Sequence, residues 1–214
     1  MVDGAETLAV RSLLTPMLRR PVHGGSPRSR PRMSGRAAAP FNLLVGSMQV
    51  IFPTVALIQA AGDTDAILSA SSVYLFGFTY LYVGLNALTG ASGEGLGWFS
   101  LFVTTCAVVF SLLEFLSGGF VYAVLWLFWG ALWFLFFLML AIQTKGIDRF
   151  SGWFTLLLGI FTVGVPGFLE LAGGFPDTPL TGSIALGVGL ILLLVSWVLG
   201  RAKRPDDAAH PAAA

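Results

Sequence analysis

The chain has 214 residues, of which 56% are hydrophobic and only 11% charged, with a mean hydropathy of +0.82. Soluble domains carry roughly a quarter charged residues, so this composition excludes a water-soluble globular domain and makes lipid the solvent for most of the chain. The 12 Lys and Arg nearly balance the 11 Asp and Glu, but they fall in three clusters separated by long uncharged runs.

Residues 1–36 are dominated by Arg, Pro, Ser and Gly, with one short apolar stretch from Ser12 to Leu18. That composition predicts a disordered basic arm, and the stretch is too short for the core of a secretory signal. Such an arm can bind anionic headgroups or simply hold the N-terminus on one side.

Six uncharged runs follow. A helix rising 1.5 Å per residue needs about 20 apolar residues to cross a hydrocarbon core, which predicts spans at about 37–60, 67–89, 97–116, 120–142, 152–172 and 181–200. The fold class is therefore all-α, a polytopic membrane bundle. A closed barrel would need short alternating segments, and runs such as AVLWLFWGALWFLFFLML do not alternate. Pro53 and Pro166 fall inside the first and fifth spans, where each predicts a kink.

In the second span Tyr74, Phe78 and Tyr82 repeat every four residues and Asn86 continues the row. Phe76, Thr79 and Tyr80 are expected off that face. The third span holds the single cysteine, Cys106, read as a packing residue, and ends near Glu114. The fourth is the most unusual. Tyr122, Trp126, Trp129 and Trp133 are spaced four, three and four apart and so share one face. An indole N–H in hydrocarbon without a partner costs roughly 1–3 kcal/mol, which a polar lumen would relieve. If the two aromatic faces oppose each other, they form a flat slot suited to a planar neutral molecule such as urea or a small amide. Aromatic stripes also serve purely to pack helices. The fifth span ends near Glu170, and a tail expected to be disordered, 201–214, follows the sixth.

Orientation follows from the basic residues. With six spans, Arg11, Arg19, Arg20, Arg28, Arg30, Arg32 and Arg36, then Lys145 and Arg149, then Arg201, Lys203 and Arg204 all lie on one side, which the positive-inside rule places in the cytoplasm. Both termini are then cytoplasmic. Asp63, Asp65, Glu114, Glu170 and Asp177 sit at the other face.

His23 and His210 are in the polar tails, so with Cys106 they assemble no metal site. There is no Gly-rich phosphate loop, no nucleophile with a base beside it, and no sign of a nucleic-acid partner or a cofactor, so no enzyme is expected. No span has an ionisable residue near its middle, which argues against an ion-coupled pump.

The stretches LFGFTYLYVGLNAL, GLGWFSLFV, VLWLFWGALWFLFF and FTVGVPGFL, in this order and preceded by SGRAAAPFNLLVG, resemble the urea/amide channel family, called UreI/AmiS, over about residues 34–171. The resemblance implies a passive channel for urea or short-chain amides in a bacterial inner membrane. It also implies a homo-hexamer with one pore per protomer, functionally linked to a cytoplasmic amidase or urease. It places pore-lining roles on Phe78, Tyr82, Trp126, Trp129, Leu132 and Trp133; Tyr74 and Asn86, from the four-residue row of the second span, and Tyr122 are candidates for the pore mouth. Acid-gated members carry His in their outer loops and an acidic residue where Leu158 stands here, so an ungated pore is expected. The family's first helix has no counterpart in the Arg/Pro-rich arm, as a start misassigned upstream of about Ser34 would produce, and the span at 181–200 lies beyond the usual family end. The alternatives are a channel inactive for want of that helix, or a structural or partner-binding membrane protein.

Overall fold

The computed structural model describes residues 34–201. Residues 1–33 of the arm, with its apolar stretch Ser12–Leu18, and residues 202–214 of the tail lie outside the described residues, as does the question of a preceding family helix; Gly35, Arg36 and Arg201, expected in the disordered termini, are helical.

The described residues are all-helical and contain six helices long and apolar enough to cross a membrane. They are α1 (Gly35–Gln59), α2 (Thr64–Thr89), α3 (Glu94–Ser117), α4 (Phe120–Leu140), a fifth span, and α7 (Pro179–Arg201). The fifth span is composite: α5 (Asp148–Leu158) passes through a π-helical segment (Gly159–Gly164) into α6 (Val165–Leu171).

Three helices start about three residues before the expected spans. The reason is local. Asp63 caps α2 by accepting the backbone N–H of Asp65 and Ala66, and Asp65, Glu94 and Asp148 occupy the first turns of α2, α3 and α5. Carboxylates there complement the helix dipole, so each helix begins in its charged first turn, before the apolar run. Ser34 likewise caps α1, accepting the N–H of Ala37 at 3.2 Å, which brings Gly35 and Arg36 into the helix.

Two pairs of consecutive helices form tight hairpins. α1 packs along α2, α3 along α4, and α7 against α5 and α4. Helix association in lipid gains little from hydrophobicity and depends on close backbone approach at small residues. A Cβ on Gly46 would fall 2.8 Å from the Leu81 backbone nitrogen, and one on Gly77 3.0 Å from the Gln49 carbonyl oxygen. Gln49 is four residues before Pro53, so its carbonyl is the one the proline leaves without a helical N–H; α2 closes over it. Between α3 and α4, Ser111 Oγ donates to the Ala123 carbonyl at 2.7 Å.

The basic residues gather at helix C-termini. The Arg36 guanidinium donates to Leu88 O and that of Arg149 to Leu199 O, both at 3.4 Å, and Arg201 lies over the Trp197 ring at 3.7 Å. Cations there meet the carbonyls that a helix end leaves free. Large apolar side chains such as Leu44, Ile58, Leu180 and Ile191 point outward, as they must where the solvent is hydrocarbon.

Candidate functional site

The tryptophan row of α4 is the centre of the bundle. Trp126 and Trp133 belong to one buried cluster with Leu75 of α2, Val103 and Ala107 of α3, and Phe136. A second cluster joins Phe128 to Phe154 and Leu158 of α5. Trp129 and Leu132 pack against both. The Trp126 and Trp129 rings meet edge to face with centroids 5.1 Å apart, and Phe110 stacks on Trp126 at 4.9 Å.

The face of α2 that meets this row differs from the expected one. Phe76, expected off the face, touches all three tryptophans, its centroid 5.9 Å from Trp126, 5.1 Å from Trp129 and 4.7 Å from Trp133. Thr79, also expected off it, is buried and accepts the Trp133 Nε1–H at 3.2 Å. Phe78 instead faces outward, 46% exposed, beside Tyr74 at 5.7 Å. Tyr74 ties α2 to α1 through a 2.6 Å hydrogen bond between its hydroxyl and that of Thr54. Tyr82 lies against α3, its ring 6.2 Å from Phe99, and Asn86 donates to Ser92 O at 3.2 Å, closing the α2–α3 turn. The row Tyr74, Phe78, Tyr82, Asn86 is therefore not opposed to the tryptophans. The physical reason is that α2 is apolar around most of its circumference, so periodicity identifies a shared face without saying which face turns inward.

Two of the three indole N–H groups have protein partners, so their cost is met by threonines and not by a lumen. Trp133 donates to Thr79, whose hydroxyl donates to Leu75 O at 2.7 Å. Trp129 donates at 2.9 Å to Thr162 Oγ1, which donates to Leu158 O at 2.6 Å. Interhelical hydrogen bonds of this kind contribute roughly 0.6–2 kcal/mol in a membrane. Thr162 lies in the π-helical segment. Pro166 lacks the N–H that would bond the Thr162 carbonyl, and the turn before it adopts the wider ladder; π segments often mark functional positions. The expected kink at Pro166 thus takes the form of a π turn. The sequence spacing places Thr79 off the inward face and gives Thr162 no role, yet a signal was present: Leu75, Phe78, Thr79 and Leu158, Phe161, Thr162 repeat the pattern Leu-x-x-Phe-Thr.

At the acidic end, Tyr122 donates to Glu170 Oε1 at 3.1 Å and its ring is 6.2 Å from Phe175. Asp177 accepts the Val121 backbone N–H at 2.9 Å, capping α4 from the connection after α6. No group of three His, Cys, Asp or Glu among the described residues is placed to hold a metal.

Six membrane-length helices around an aromatic interior define a polytopic membrane protein. Residues 31–174 match the family model of the AmiS/UreI family transporters, and the chain belongs to that family. It is 49% identical over 169 residues to AmiS2 of Rhodococcus erythropolis, named as a transporter, covering 78% of this chain and 82% of that one. A Mycolicibacterium smegmatis protein named as a transporter of amidate substrates is 38% identical over 181 residues, 84% of this chain and 85% of its own. The crystal structure of the urea channel from Helicobacter pylori superposes with a TM-score of 0.62 at 21% identity, covering 81% of this chain and 98% of that chain, and so shares the fold. The family comprises transporters and channels, and this chain is not an enzyme. The family match ends before α7.

Proposed function

We propose that the chain is a passive, ungated channel for urea or short-chain aliphatic amides across a bacterial inner membrane, both termini cytoplasmic, assembled as a homo-hexamer with one pathway per protomer. The observation that carries this reading is the Trp126–Trp129–Trp133 row facing Phe76 and Thr79. The names of the relatives, an amidate transporter and a urea channel, agree with it.

The pathway runs along α4 between α2 and the π-helical segment, lined by Trp126, Trp129, Leu132 and Trp133, with Phe76 and Thr79 on the opposite wall. Ring faces offer a flat apolar surface to a planar neutral amide, while a hydrated ion would lose its water with nothing to replace it. Phe76 fills the slot, so its ring turns aside as a permeant passes. Tyr122 sits at the acidic end of this row and serves as one mouth. Tyr74, Phe78, Tyr82 and Asn86 lie on the other flank of α2 and join the pathway only where a further wall covers that flank. A supply of amide or urea to a cytoplasmic amidase or urease is the role such a channel would fill.

The test is influx of labelled urea and acetamide into cells producing the full chain. The reading predicts uptake that rises linearly with concentration and is insensitive to collapse of the membrane potential. Saturable, potential-dependent uptake would replace the channel with a carrier.

A further inference from the structure

We infer that Thr79 and Thr162 are specificity-determining residues: a matched pair of hydroxyls that face the pathway as acceptors alone and so select permeants that donate N–H. The inference rests on the channel reading above and adds to it what the site recognises.

A threonine hydroxyl has one proton and two acceptor lone pairs. At Thr79 the proton is committed to Leu75 O at 2.7 Å, and one lone pair takes the Trp133 indole N–H at 3.2 Å. At Thr162 the proton is committed to Leu158 O at 2.6 Å, and one lone pair takes the Trp129 indole N–H at 2.9 Å. Among the described residues each oxygen therefore retains one lone pair and no free proton. Both threonines are buried, and each bonds the indole of a tryptophan whose ring packs against Phe76.

The two stations come from different helices, α2 and α5 with its π segment, through the same Leu-x-x-Phe-Thr pattern, and their indole donors are one helical turn apart on α4. A permeant with N–H groups can leave one acceptor and then meet the other on its way along the tryptophan row. A permeant that only accepts finds no donor at either oxygen, leaves both lone pairs unpaired and is rejected. Sites built around a hydrogen bond discriminate strongly against analogues that lack the matching group.

Two isomeric amides separate this from size exclusion. Propionamide donates two N–H bonds and N,N-dimethylformamide none, at identical composition. Influx of each is followed into proteoliposomes holding the full chain, with empty vesicles subtracted. The wild type is expected to favour propionamide. Thr79→Val and Thr162→Val should each lower propionamide influx about fivefold, the effect of one ordinary hydrogen bond, with dimethylformamide unchanged. Thr79→Ser and Thr162→Ser should restore the preference. The indole band of ultraviolet resonance Raman spectra, which reports N–H hydrogen bonding without any flux, should shift in the Val variants and not in the Ser variants. Where a Val variant fails to insert, Thr→Ala at the same position carries the comparison.

An unchanged ratio in the Val variants overturns the proposal. So does an equal loss of both amides, or failure of serine to restore the preference, since either would leave only a packing role for the side chains. A wild type that conducts neither amide above empty vesicles overturns the channel reading and the selectivity with it, and a Raman shift would then still establish the hydrogen bonds. An unshifted band in the Val variants also overturns the proposal, since the single remaining lone pair at each oxygen rests on those indole hydrogen bonds.

Discussion

The indole N–H of Trp129 and the hydroxyl oxygen of Thr162 meet at 2.9 Å, joining the tryptophan row of α4 to the π-helical segment of the fifth span. If this bond holds the two helices, Trp129→Phe and Thr162→Val should be coupled. A double-mutant cycle on unfolding in detergent is expected to give a coupling of about 1 kcal/mol. The pair Trp129→Phe with Thr79→Val is the control and should be close to additive, because Thr79 bonds Trp133 instead. Equal coupling in both pairs would contradict the assignment of partners.

The two faces of α2 make opposite predictions. Phe76 touches Trp126, Trp129 and Trp133, whereas Phe78 points outward. Phe76→Ala should admit larger amides such as butyramide, raising their influx relative to urea by about tenfold, as removal of a constricting ring would. Phe78→Ala should leave that ratio within about twofold. The reverse ranking would place the pathway on the other flank of α2.

Close helix contact at glycine makes α1 and α2 intolerant of bulk. A side chain at Gly46 would collide with the Leu81 backbone and with Gly77 O. Gly46→Val is expected to destabilise the protein by about 1–3 kcal/mol, read as a lowered midpoint of thermal unfolding in detergent. Gly187, whose Cβ would meet nothing within 4 Å, should accept Ala with no such loss.

Influx should depend little on external pH. Histidine is the side chain whose ordinary pKa makes it titrate between pH 5 and 8, and the two in this chain, His23 and His210, lie outside the six spans. Between pH 7 and 5, urea influx into proteoliposomes is expected to change by less than about twofold, since no imidazole charge appears along the pathway. A steep rise on acidification would contradict the ungated reading.

Much of this architecture is legible in the sequence because lipid imposes a simple rule: a span must be long, apolar and hydrogen-bonded within itself. The six spans follow from charge gaps alone, and the Trp126–Trp129–Trp133 face from a three-four spacing. The inward face of α2 does not follow. Tyr74, Phe78 and Tyr82 look like a matching row, but Phe76 and Thr79 turn toward α4, and a helix surrounded by hydrocarbon has no polar flank to mark its outside. The polar partners were hidden for a related reason. An indole N–H in a membrane can be satisfied by water in a lumen or by a neighbouring hydroxyl, and only the repeated Leu-x-x-Phe-Thr pattern hinted that Thr79 and Thr162 supply the second. The π turn before Pro166 was legible as a disturbance and not as a shape, since proline removes one N–H without dictating how the ladder adjusts.

The central claim, that small neutral amides pass along the tryptophan row of α4, is tested most directly by stopped-flow light scattering on proteoliposomes of the full chain. Urea and acetamide influx is compared with empty vesicles and with vesicles holding Trp129→Ala. The account predicts accelerated influx in the wild type and a changed rate or a changed urea-to-acetamide ratio in the variant. Influx no faster than in empty vesicles, from protein shown to be folded, or influx that Trp129→Ala leaves untouched in both rate and ratio, would contradict it.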